Sequence, residues 1–127
     1  MRVEDLEVYQ RLVKLVIIIH RLTMKFPQLE MYELGSQLRR SSNSAPANLA
    51  EGFGNKHVNI YTECISRAQG EIRETKHHLS MARSKGYLKD NDLNQLYDEY
   101  EVCSKMLFRL EQSLHNKWTK TYLKPNS

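Results

Sequence analysis

Residues 58–85 read VNIYTECISRAQGEIRETKHHLSMARSK. Within them Tyr61, Ile65, Ala68, Ile72, Thr75, Leu79 and Ala82 follow alternating steps of four and three. Residues three and four apart share one side of an α-helix, so the seven form one continuous seam. That period is the one left-handed bundle packing requires. The stretch therefore predicts a single long helix, the third of the chain, lying against other helices. Gly86 is a natural stop, with Tyr87 placed to pack back onto the last turn.

The same seam recurs downstream. Leu93, Leu96, Tyr100, Cys103, Leu107, Leu110 and Leu114 predict a fourth helix, opened by Asp90 as N-cap with Asp92 near the positive helix end. Upstream, a first helix is expected over 4–25 with two apolar stripes. One is Leu6, Tyr9, Val13 and Val16; the other is Val8, Leu12, Leu15, Ile19, Leu22 and Phe26. One stripe suffices for a single core, so two point to a subunit interface. Pro27 should end this helix. A second helix is expected from Glu33 to Gly52 with Leu34, Leu38, Ala45 and Leu49 inward. Gly52 and Gly54 are expected to close it in left-handed conformations, and Asn55 to start the next helix. No segment alternates with period two, as a strand would. Short loops between long helices make an all-α, antiparallel up-down-up-down four-helix bundle the economical fold. The bundle is expected over 1–118, with a flexible polar tail at 119–127.

Composition narrows the class. The 127 residues suit one domain, and 40% hydrophobic with 27% charged residues excludes a disordered chain. The longest apolar run, Leu15 to Ile19, is too short to span a bilayer and lacks a cleavage site, so a cytoplasmic protein without membrane contact is expected. Cys64 and Cys103 form no C-x-x-C pair and read as reduced core thiols. A net charge of +4 permits an acidic partner without requiring one.

The second helix breaks the propensity rules. Residues 39–52 read RRSSNSAPANLAEG, with Pro46 in the interior. Proline removes a backbone hydrogen bond and should kink the axis. Arg40, Ser44, Asn48 and Glu51 fall on one face among small residues. The structural reading is a polar cluster, with Arg40 paired to Glu51, that fixes helix register or joins subunits. The functional reading is a polar pocket for a ligand or RNA.

Phe26-Pro27, Glu30, Leu34, Gln37-Leu38-Arg39-Arg40 and Asn48-Leu49-Ala50-Glu51-Gly52 together resemble the bacterial 23S rRNA intervening-sequence protein family. Leu6 to Gln10 is similar to its opening helix, and Ala68, Gly70 and Glu74 fit its third-helix pattern. Glu71 departs from it, standing where the family usually has a small serine. Ser41-Ser42 and Ala45 depart as well, replacing more typical alanine and isoleucine. The resemblance implies a four-helix bundle assembled as a ring, a homopentamer, whose role is not settled. Related bundles accompany diversity-generating retroelements, which implies RNA or DNA and a reverse-transcriptase-like protein as partners. The motif residues carried over are Arg39, Arg40, Asn48, Glu51 and Gly52.

Arg73, Lys76, His77 and Arg83 lie on the outward side of the third helix as candidate phosphate contacts, diluted by Glu71 and Glu74. Lys117, Trp118, Lys120, Tyr122 and Lys124 form a basic, aromatic-interleaved end. Its aromatics either stack on unpaired bases or, at Trp118, close the core. Glu74 with His77 has the Glu-x-x-His spacing of di-iron bundles, but the only similar pair is Glu111 with His115, so no metal and no cofactor is expected. Arg73 and His78 have the Arg-x4-His spacing that resembles HEPN ribonucleases, and Arg109 with His115 nearly repeats it by chance. No other catalytic set stands out, so the chain is expected not to be an enzyme. Three function classes remain: a non-catalytic nucleic-acid-binding ring, a structural or protein-interaction scaffold, and a ribonuclease using Arg73 and His78.

Overall fold

The structure, a computed structural model, describes residues 1–122. Among the described residues every regular element is helical. A single 3-10 turn, Val3–Asp5, precedes five α-helices: α1 Glu7–Thr23, α2 Gln28–Tyr32, α3 Leu34–Gly52, α4 Val58–Ser84 and α5 Asp90–Tyr122. Four of these are long and form the expected bundle. Each long helix packs on the next in sequence, and α5 closes back on α1. The short connections make neighbours antiparallel.

The expected seams are the core. All seven seam residues of α4 are buried, as are Leu93, Leu96, Tyr100, Cys103 and Leu107 of α5. Leu12, Leu15, Ile19, Leu38 and Leu49 complete it from α1 and α3. Each such side chain contributes about 1.5–3 kcal/mol relative to exposure. Of the two stripes on α1, Val8, Leu12, Leu15 and Ile19 are buried, whereas Tyr9, Val13 and Val16 are only partly covered. Ile17 and Ile18 remain 47% and 48% exposed.

The helix ends differ from the sequence reading in instructive ways. α1 closes before Pro27, which then caps an unforeseen short helix, α2. α3 runs unbroken through Pro46, whose ring is buried. Gly52 was expected in a left-handed conformation, but only Gly54 (φ 71°) and Gly86 (φ 84°) adopt one. Gly52 stays helical, and its reason for being glycine is contact with α4. At the far end of α4, Gly86 N–H bonds to the Arg83 carbonyl and Tyr87 N–H to the Ala82 carbonyl, the Schellman pattern. The Tyr87 ring then meets Phe26 at 5.3 Å. Asn55 does not start the next helix: His57 is the N-cap of α4, and Asn55 Oδ1 instead accepts from His57 N–H at 2.8 Å, tightening the loop before it. Asp90 is the first helical residue rather than the cap, and its carboxylate lies 3.2 Å from Arg83 Nη1.

Helix α5 does not end at Trp118. α5 continues to Tyr122, where the Trp118 and Tyr122 rings pack 5.6 Å apart and Thr121 Oγ1 donates to the Lys117 carbonyl. Lys124 and the rest of the expected tail lie outside the described residues. No described helix is long and apolar enough to cross a membrane.

Candidate nucleic-acid interface

The arginines of α3 split in two directions. Arg39 folds back beneath the helix, its Nη1 donating to Thr23 Oγ1 (2.9 Å) and its Nη2 to the Met31 carbonyl (2.8 Å). It thereby ties the end of α1 and α2 to α3. Gly35 leaves it room, since a Cβ there would stand 3.0 Å from Arg39 Nη1. Arg40 points to α4 instead. It pairs with Glu74 and lies 3.5 Å from Glu71. That overturns the expected Arg40–Glu51 pair. Eleven residues of helix place the two about 16 Å apart along one axis, beyond side-chain reach. Glu51 is exposed and in no ion pair among the described residues.

The rest of the motif is spent on packing. Asn48 Nδ2 donates to the Ser44 carbonyl of its own helix at 2.8 Å. Gly52 sits directly on Cys64 of α4. Eleven residues further along the α3–α4 seam, the buried Thr75 hydroxyl donates to Ser41 Oγ at 2.8 Å. Burial raises the Cys64 thiol above its ordinary range and pushes Cys103 up to about 12. Both thiols are therefore held in the protonated, unreactive form.

The cations expected on α4 are largely neutralised. Lys76 pairs with Glu101 at 3.1 Å and covers the Tyr97 ring, and Arg83 is held by Asp90. Arg73 and His77 stay exposed. His78 is half-buried, with Nε2 3.7 Å from Glu74 Oε2, and burial, His77 and Arg40 together lower its pKa. Arg73 and His78 are five residues apart, about 140° around the helix, so they do not share a face.

Exposed cations in no ion pair among the described residues include Lys14, Arg21, Lys56, Arg73 and Lys89, scattered over the bundle, but a longer run of them lies on α5. Asp90, Asp92, Asp98, Glu99 and Glu101 fill its first third. Beyond them come Lys105, Arg109, Lys117 and Lys120, all exposed, with Glu111 as the single, partly buried carboxylate. Among the described residues none of the four cations is in an ion pair. Arg109, Lys117 and Lys120 line a shallow trough with Gln112, Ser113 and Asn116. Lys105 and Arg109 flank Phe108 in a second one. The Trp118–Tyr122 pair lines a small open pocket with Lys56 to Asn59, and Trp118 is 39% exposed. The sequence reading found Lys117, Trp118 and Lys120 but missed Lys105 and Phe108. Four-residue spacing of Lys105 and Arg109 was the available signal.

The description "23S rRNA-intervening sequence protein" belongs to a family profile that matches residues 4–109. The chain belongs to this family. No curated protein matches it. The matched span takes in all of α1 to α4, with Arg39, Arg40 and Gly52, and the first part of α5. It stops at Arg109, so Lys117, Trp118, Lys120 and Tyr122 lie beyond the family match. Packing residues thus fall inside the shared region, and the free positive charge on α5 is divided, with Lys105 and Arg109 inside it and Lys117 and Lys120 outside.

Proposed function

We propose that this protein is a non-catalytic RNA- or DNA-binding ring, a cytoplasmic homopentamer that presents the cationic end of α5 to phosphates. The carrying observation is the uncompensated row Lys105, Arg109, Lys117 and Lys120, beside amide and hydroxyl groups that can donate to phosphate oxygens. Cations already paired to carboxylates, such as Lys76 and Arg83, release fewer counterions and contribute less. Five chains of net charge +4 would carry about +20, which favours phosphate binding further. The partly covered face of α1 supports self-association, because Ile17 and Ile18 gain from burial against a second copy. The resemblance to retroelement accessory bundles adds a reverse-transcriptase-like protein as a second partner. The test is light scattering with and without a structured ribosomal RNA fragment, at low and moderate salt. A pentamer that gains RNA mass in a salt-sensitive way is the expected result.

A structural scaffold is the second reading, favoured by the use of Arg39, Arg40 and Gly52 in packing. A pentamer that ignores RNA at every salt concentration would put it ahead.

A further inference from the structure

The outer face of α5 carries more than charge. Phe108, His115 and Tyr122 recur every seven residues. Seven residues are nearly two turns, so the three rings lie on one side of the helix, about 10 Å apart along its axis. All three are exposed, Phe108 by 55% and Tyr122 by 69%. The core seam of α5 runs through Tyr100, Cys103 and Leu107 instead, so these rings do not build the bundle. Trp118 leans on Tyr122 at 5.6 Å and orients the last of them. The cations Lys105, Arg109 and Lys120 and the amides of Gln112 and Asn116 occupy the next strip round the helix, and the carboxylate that lines its near end, Glu101, is held by Lys76 at 3.1 Å.

A row of flat aromatic rings beside a row of cations has a specific chemical complement. A duplex offers phosphates but keeps its base faces stacked inside. A single strand offers both phosphates and unstacked base faces, and stacking on an aromatic ring contributes to binding for every base type. We infer that α5 binds single-stranded nucleic acid, with Phe108, His115 and Tyr122 as stacking platforms and Lys105, Arg109 and Lys120 on the backbone. This rests on the nucleic-acid reading above and names the form of strand that the same face takes. His115 and Tyr122 lie beyond the residues the family match covers, and Phe108 lies within it.

The experiment is fluorescence anisotropy of the full chain with an unstructured 20-nucleotide strand and with its blunt duplex, each made as RNA and as DNA to identify the sugar. The single strand should bind more tightly than the duplex. Phe108→Ala and Tyr122→Ala are exposed changes that leave the fold intact. Each should weaken single-strand binding on the order of 5- to 150-fold and leave duplex binding unchanged. Lys120→Gln should weaken both forms and reduce the single-strand salt slope by about 0.7. Equal affinity for duplex, or unchanged single-strand binding by both ring variants, overturns the single-strand inference while the nucleic-acid reading stands. Failure of the unaltered chain to bind either form overturns the reading itself.

Discussion

A Cβ placed on Gly52 of α3 would stand 2.5 Å from the Cβ of Cys64 on α4 and 2.8 Å from its sulfur. The Cys64 side chain therefore packs directly on the α3 backbone at this point. Gly52→Ala must push α3 off α4 at this contact, and overpacking of this kind costs about 1–3 kcal/mol. Thermal unfolding should show the loss, and Cys64→Gly should restore part of it. An unchanged melting temperature would mean that the helices separate freely here.

Gly70 gives the opposite expectation. It lies in the middle of α4 with helical geometry, and its nearest obstacle is the flexible tip of Arg73 at 3.7 Å. Alanine is favoured over glycine in a helix interior by about 1 kcal/mol. Gly70→Ala should therefore raise the melting temperature. A drop would show that something outside the chain needs the missing Cβ.

The arginine pairing separates two carboxylates that look alike in sequence. Glu51→Ala removes an exposed group in no ion pair among the described residues, and should change stability by less than about 0.5 kcal/mol. Arg40→Ala also removes the cation beside Glu71 Oε2, which is enclosed and has no hydrogen-bond donor. Arg40 and Glu74 are themselves nearly half exposed, so their ion pair contributes at most about 1 kcal/mol. Urea titration of both variants should give a measurable loss for Arg40→Ala alone.

His78 should make the fold acid-sensitive. Burial, then His77 and Arg40, lower its pKa from the ordinary 6.5, while Glu74 lies close by. The unfolded chain then takes up a proton at a higher pH than the folded one. The stability from this group is complete above 6.5 and declines as pH falls through 6.5 toward the lowered folded value. His78→Asn should flatten that stretch of the stability–pH curve. Equal slopes in both proteins would remove His78 as the cause.

The bundle was legible because its signal is redundant. In α4 and α5 the four-three spacing repeats over many turns, and no single substitution hides it. Resemblance to the family was legible from residues that turn out to sit at contacts, Arg39 on Thr23 and Gly52 on Cys64. The candidate site was only half legible. Lys117 and Lys120 stand out in a basic stretch, but Lys76 and Arg83 look equally free until α5 supplies Glu101 and Asp90.

Sequence alone determined which residues face inward and where each long helix breaks, because both depend on local periodicity and on proline and glycine backbone preferences. Only the tertiary structure decided which charges are spent and which remain. Glu51 shares a face of α3 with Arg40, yet Arg40 reaches Glu74 on another helix, 34 residues away in sequence. Ion pairing depends on distances of a few ångströms between elements far apart in the chain, and helical spacing within one element does not encode them.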